Sequence, residues 1–78
     1  MLDRRVVEVY SHLLVSLNEF EAAVAASRSG ERADFQGVFR RLDELAAQLP
    51  ADADPLLRHF LAQKSYQKAR TWLSARLN

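Results

Sequence analysis

The chain has 78 residues, 49% of them apolar, no cysteine and a formal net charge of +1. That length makes one domain at most, and a chain so short buries only about 60% of its unfolded surface. Without cysteine there are no disulfides, thiolate metal sites or cysteine nucleophiles, so regular helix packing and a partner remain as routes to stability.

The first and strongest helical pattern covers residues 3–27. Leu2, Val6, Val9, Leu13, Leu17, Phe20 and Val24 recur at spacings of three and four, the mark of an amphipathic helix. Val7, Tyr10 and Leu14 widen this stripe to an arc of roughly 160°. Arg4, Glu8, Ser11, His12, Asn18 and Glu19 take the opposite side, with Val15 among them.

The segment SRSGER, residues 27–32, has no periodic apolar residue and breaks the helix. A second helix is predicted over 34–49, with Phe35, Val38, Phe39, Leu42, Leu45, Ala46 and Leu49 on one face. Asp34 is its candidate N-cap, Gly37 falls in its first turn, and Pro50 ends it by disfavouring helical backbone at Leu49. Phe35, Phe39 and Leu42 are expected to meet Leu13, Leu17 or Phe20. A third start signal is Asp54 followed by Pro55, a capping side chain before a residue whose missing N–H costs a first turn nothing.

From there the pattern changes phase. Leu56, Leu57, Phe60 and Leu61 centre on one direction, while Tyr66, Ala69, Trp72, Leu73 and Leu77 centre roughly 170° away. One straight helix could not bury both sets against one core. A break at residues 63–65, with Ser65 as the next N-cap, resolves the conflict into helices at 55–63 and 66–77. Leu56, Phe60, Tyr66, Ala69 and Leu73 stand at offsets that resemble a half-repeat of the tetratricopeptide type, which implies a helical hairpin over 55–77. Leu57 and Ser65 replace the small residue and the turn glycine of that pattern, and no second copy lies upstream. The predicted fold is all-α: a small antiparallel helical bundle of a long helix, a medium helix and a C-terminal two-helix hairpin.

Charge is uneven along the chain. Residues 1–53 hold six Lys/Arg against nine Asp/Glu, and residues 54–78 hold five against Asp54 alone. The simplest expectation is that the acidic and basic parts complement each other within the fold. No apolar run nears the roughly 20 residues needed to span a bilayer. LDRRVVEVY is not a signal pattern, so a cytoplasmic location and no membrane contact are expected.

Glu8, His12 and Glu19 share a sector of the first helix, but their spacing misses the Glu-x-x-His arrangement of di-iron bundles, and a solvated face is the expectation. Neither a nucleophile beside a base, nor paired carboxylates, nor a phosphate-binding glycine loop is visible. The chain therefore reads as a non-enzymatic protein-interaction or assembly module, with no cofactor, no metal and no evident small-molecule substrate. The expected interface comprises Val7, Tyr10 and Leu14 on the margin of the first helix's arc, together with Trp72. A rod of about 37 Å, too long for the shorter helices to cover, points to a homodimer through that helix or to another protein partner. The alternative is a nucleic-acid-binding regulator that uses Lys64, Gln67, Lys68, Arg70 and Thr71 of the basic hairpin.

Overall fold

The computed structural model of the chain describes residues 4–77. It contains four helices: α1 (Arg4–Arg28), α2 (Phe35–Ala47), α3 (Pro55–Ala62) and α4 (Tyr66–Leu77). Together they form an all-helical bundle, as the hydrophobic periodicity predicts. Leu2 of the predicted stripe and the expected start at residue 3 lie outside the described residues.

The starts of α2 and α3 are set as their cap residues predict. The Asp34 carboxylate accepts from the Gly37 N–H at 2.9 Å, and the Asp54 carboxylate accepts from the Leu56 N–H at 2.8 Å, with Pro55 in the first turn. The end of α2 differs from expectation, since the helix stops at Ala47 rather than 49. Gln48 and Leu49 close on Leu45 and Ala46 through bonds three residues back, a tighter turn that often finishes a helix. Leu49 nonetheless stays buried.

The α1 and α3 C-termini share one geometry. After α1, the Glu31 N–H reaches the Ala26 carbonyl and the Gly30 N–H reaches Ser27. After α3, the Ser65 N–H reaches Phe60 and the Lys64 N–H reaches Leu61. Both are the paired closing bonds of a Schellman turn, which needs one residue in left-handed backbone. Gly30 fills that position at φ 84°, whereas Lys64 fills it at φ 57°. The break between α3 and α4 is therefore made by Lys64, and Ser65 contributes the carbonyl that accepts from the Ala69 N–H.

Ring contacts define how the helices lie. Phe20 meets Phe35 and Phe39 of α2, and it also meets Tyr66 of α4 at 5.1 Å. Tyr10, nearly three turns earlier, meets Trp72. Both α2 and α4 thus start beside Phe20 and run back along α1 in the opposite direction, with Phe39 against Tyr66 near their starts. The third helix packs against α4.

The core follows from this arrangement. Leu13 and Leu17 of α1, Leu42 of α2, Leu57 of α3, and Ala69 and Leu73 of α4 lose essentially all solvent contact. Each buried leucine contributes about 1.5–3 kcal/mol. Ala69 and the buried Ser16 are small, which suits the close approach of neighbouring helices to α1. Phe35 and Phe39 do join α2 to α1 through Phe20, but both are only half-buried, on the margin of an aromatic cluster.

Two flanking helices explain the wide arc of α1. It is covered from two sides by its own chain, so its breadth does not demand a second copy. Tyr10, expected in a dimer interface, is 1% exposed, and Trp72 is 7% exposed. Both belong to the internal core because α4 lies along the margin of the arc where Tyr10 projects. Val7 and Leu14 are half-buried, with Leu14 packed against the core.

Candidate protein-interaction surface

The predicted contact residues Tyr10 and Trp72 sit together. Their ring centroids are 5.5 Å apart with planes at 81°, an edge-to-face pair. The Tyr10 hydroxyl accepts from the Asp54 N–H at 3.4 Å, which links α1 to the capping residue of α3. The indole Nε1–H of Trp72 is buried without a hydrogen-bond partner. Over the same ring lies the Arg76 guanidinium, 3.8 Å from the centroid, which also donates to the Trp72 carbonyl at 3.4 Å.

The arginines of the basic part bind neutral groups rather than carboxylates. Arg58 donates to the carbonyls of Leu49 (3.3 Å) and Pro50, closing the α2–α3 connection over the start of α3. The Arg70 Nε–H donates to Asn18 Oδ1 at 2.7 Å, across the α1–α4 seam. The ion pairs Arg4–Glu8 (3.9 Å) and Arg41–Glu19 (3.3 Å) both fall within residues 1–53. In the basic hairpin Arg58, Arg70 and Arg76 instead meet carbonyls, an amide and a ring. The Lys64 and Lys68 side chains are exposed and make neither a hydrogen bond nor an ion pair among the described residues.

Of the proposed nucleic-acid residues, Lys64, Gln67, Lys68 and Thr71 are exposed along the α3–α4 turn and the outer side of α4. Arg70 is exposed as well, but its position is tied to Asn18. The Glu8–His12–Glu19 sector is divided, with Glu8 pairing with Arg4 and Glu19 with Arg41. No three His, Asp or Glu side chains gather into a metal-binding group among the described residues. No helix among them is long and apolar enough to cross a membrane.

A surface that the periodicity did not single out lies on the outside of the hairpin. Leu56, Phe60, Gln67, Lys68, Thr71 and Trp72 line a shallow groove between α3 and α4. Leu56 is 47% exposed and Phe60 half-buried, although both were expected to share the inward face with Leu57. The signal was present in the eight residues of α3. Four large apolar side chains occupy them, Leu56, Leu57, Phe60 and Leu61, spread over an arc of roughly 140°, wider than the face of about 100° that a helix usually turns to a core. Leu57 takes the inward position and Leu56 is left outside.

The other strongly exposed large apolar side chain among the described residues, Val15 at 57%, sits differently. It shares a depression with His12, Ser16, Glu19, Arg41 and Leu45, where the Glu19–Arg41 pair already supplies both charges. A third cleft, between the end of α1 and the start of α2, is lined by Ala22, Ala23, Ala26, Ala33 and Gly37 among others and carries little apolar bulk. No family model, curated protein or solved structure matches the chain.

Proposed function

We propose that this protein is a non-enzymatic protein-interaction module whose contact face is the groove between α3 and α4. The observation that carries this reading is Leu56, a large side chain held 47% exposed beside Phe60 and Trp72 in a concave surface. Interfaces combine an apolar centre with a polar rim, and aromatic residues are enriched there. Gln67, Lys68 and Thr71 supply that rim. Trp72 thus stays among the contact residues as the floor of the groove, while Tyr10 supports it from within the core.

Self-association through α1 would rest on the half-buried Val7 and Leu14, since Tyr10 lies in the core, so a second copy of the chain becomes one occupant among others. The nucleic-acid alternative keeps Lys64, Gln67, Lys68 and Thr71 on an open face, but the apolar Leu56–Phe60 centre of that face suits a protein better than a phosphate backbone.

Site-specific photo-crosslinking in the native cell tests the reading. A crosslinker at Gln67, on the groove rim, is expected to give a discrete protein adduct that Leu56→Glu abolishes. The same group at Glu44, on the exposed side of α2, is expected to give none. Adducts of equal yield from both positions, or none from Gln67, would overturn the proposal.

A further inference from the structure

The groove carries a charge signature that points to one class of occupant. After Asp54 the chain contains five cations, Arg58, Lys64, Lys68, Arg70 and Arg76, and no acidic residue. Three of them are already engaged: Arg58 on loop carbonyls, Arg70 on Asn18 and Arg76 on the face of Trp72. The two lysines are not. Lys68 lines the groove and Lys64 stands one turn earlier, where α3 gives way to α4. Lys64 also occupies the one position of its turn that requires left-handed backbone, at φ 57°, where glycine is the unstrained choice. The hairpin thus holds a cation at a site that disfavours any side chain.

Resting on the reading of the groove as an interaction surface, we infer that its occupant is an acidic amphipathic helix of a partner protein. Apolar residues one turn apart on such a helix would seat against Leu56, Phe60 and the edge of Trp72, and flanking carboxylates would meet Lys64 and Lys68. A helix laid between two helices is a recurrent recognition mode that needs apolar anchors on a single face. The lining residues of α4 run from Gln67 to Trp72, about 8 Å along the helix, so the groove would engage between one and two turns of a partner segment. The charge sign also separates this occupant from others, since an acidic helix is attracted by both lysines and a basic one is repelled.

The protein contains its own probe, because Trp72 is the single tryptophan and lines the groove. Two helical peptides of about four turns, with identical leucine positions and either glutamate or lysine at the polar positions, are titrated against the full chain at low salt. Generic duplex DNA forms a third arm. The glutamate peptide is expected to change Trp72 emission saturably, with micromolar affinity, and the lysine peptide to bind about tenfold more weakly. In the Lys64→Glu/Lys68→Glu variant the preference is expected to reverse. Both positions are exposed, so a melting curve matching the parent confirms that the variant remains folded. Equal responses to the two peptides, or DNA binding that displaces the glutamate peptide, would overturn the acidic helix. If the Gln67 adduct persists in that case, the interaction surface still stands; loss of the adduct removes both.

Discussion

Tyr10 and Trp72 meet edge to face, with centroids 5.5 Å apart, and this contact joins the first turns of α1 to the C-terminal half of α4, 62 positions away in sequence. The Tyr10 hydroxyl extends the junction to a third helix by accepting from the Asp54 N–H. Three of the four helices are thereby tied at one side chain, and the groove floor formed by Trp72 rests on it. Tyr10→Phe is expected to keep the ring contact and lose the hydroxyl, at about 0.5–1 kcal/mol. Tyr10→Glu would bury a charge without a partner and is expected to unfold the chain rather than release a folded monomer. Urea denaturation of both variants, followed by circular dichroism, measures this.

The two Schellman turns supply a matched pair of substitutions. Lys64→Gly relieves left-handed backbone at a side-chain-bearing residue and is expected to stabilise by about 0.5–1 kcal/mol. Gly30→Ala imposes the same strain and is expected to destabilise by about 1 kcal/mol. A Cβ at Gly30 would meet no atom within 4 Å, so the loss there is conformational and not steric. Opposite shifts in the denaturation midpoint are the expected result.

Gly37 stands in the first turn of α2, where alanine would ordinarily favour the helix by about 1 kcal/mol. Here a Cβ would overlap the Asp34 carboxylate that caps the helix. Gly37→Ala is therefore expected to give no gain, because it displaces a cap contributing about 1 kcal/mol. In an Asp34→Ala background the same substitution is expected to stabilise. A double-mutant cycle of thermal melts reads the coupling directly.

Trp72 combines a useful surface with an unsatisfied donor. Trp72→Phe removes the buried Nε1–H that has no acceptor, which offsets the smaller ring and the weaker Arg76 contact. Its stability is expected to stay within about 1 kcal/mol of the parent. Trp72→Ala empties the space beside Tyr10 and is expected to cost about 3–5 kcal/mol. Calorimetric melting of the pair separates ring volume from the indole donor.

The aromatic cluster of Phe20, Phe35, Phe39 and Tyr66 holds the starts of α2 and α4 to α1. Because Phe39 is half-buried, Phe39→Ala is expected to cost about 2–3 kcal/mol, less than a fully enclosed phenylalanine. Val15→Ala, at an exposed position of α1, is expected to change the melting temperature by no more than a degree or two.

Local chemistry in the sequence determined the helices of this protein and most of their starts. Spacings of three and four select an inward stripe, and Asp34, Asp54 and Pro55 act within a few residues of themselves. The phase shift between Leu57 and Tyr66 forces a break because a rigid helix cannot face two ways. The identity of the left-handed residue was less legible: the break falls between residues 63 and 65, yet the choice of Lys64 over Ser65 depends on which carbonyls the turn closes. Only the tertiary structure decided that α2 and α4 both pack along α1. An apolar arc specifies how much surface must be covered but not whether the chain or a partner covers it. That arrangement drew Tyr10 and Trp72 into the core and left Leu56 outside, and it directed three arginines to neutral groups while two lysines remained beside the groove. Side-chain contacts between helices depend on distances that periodicity along one helix does not encode.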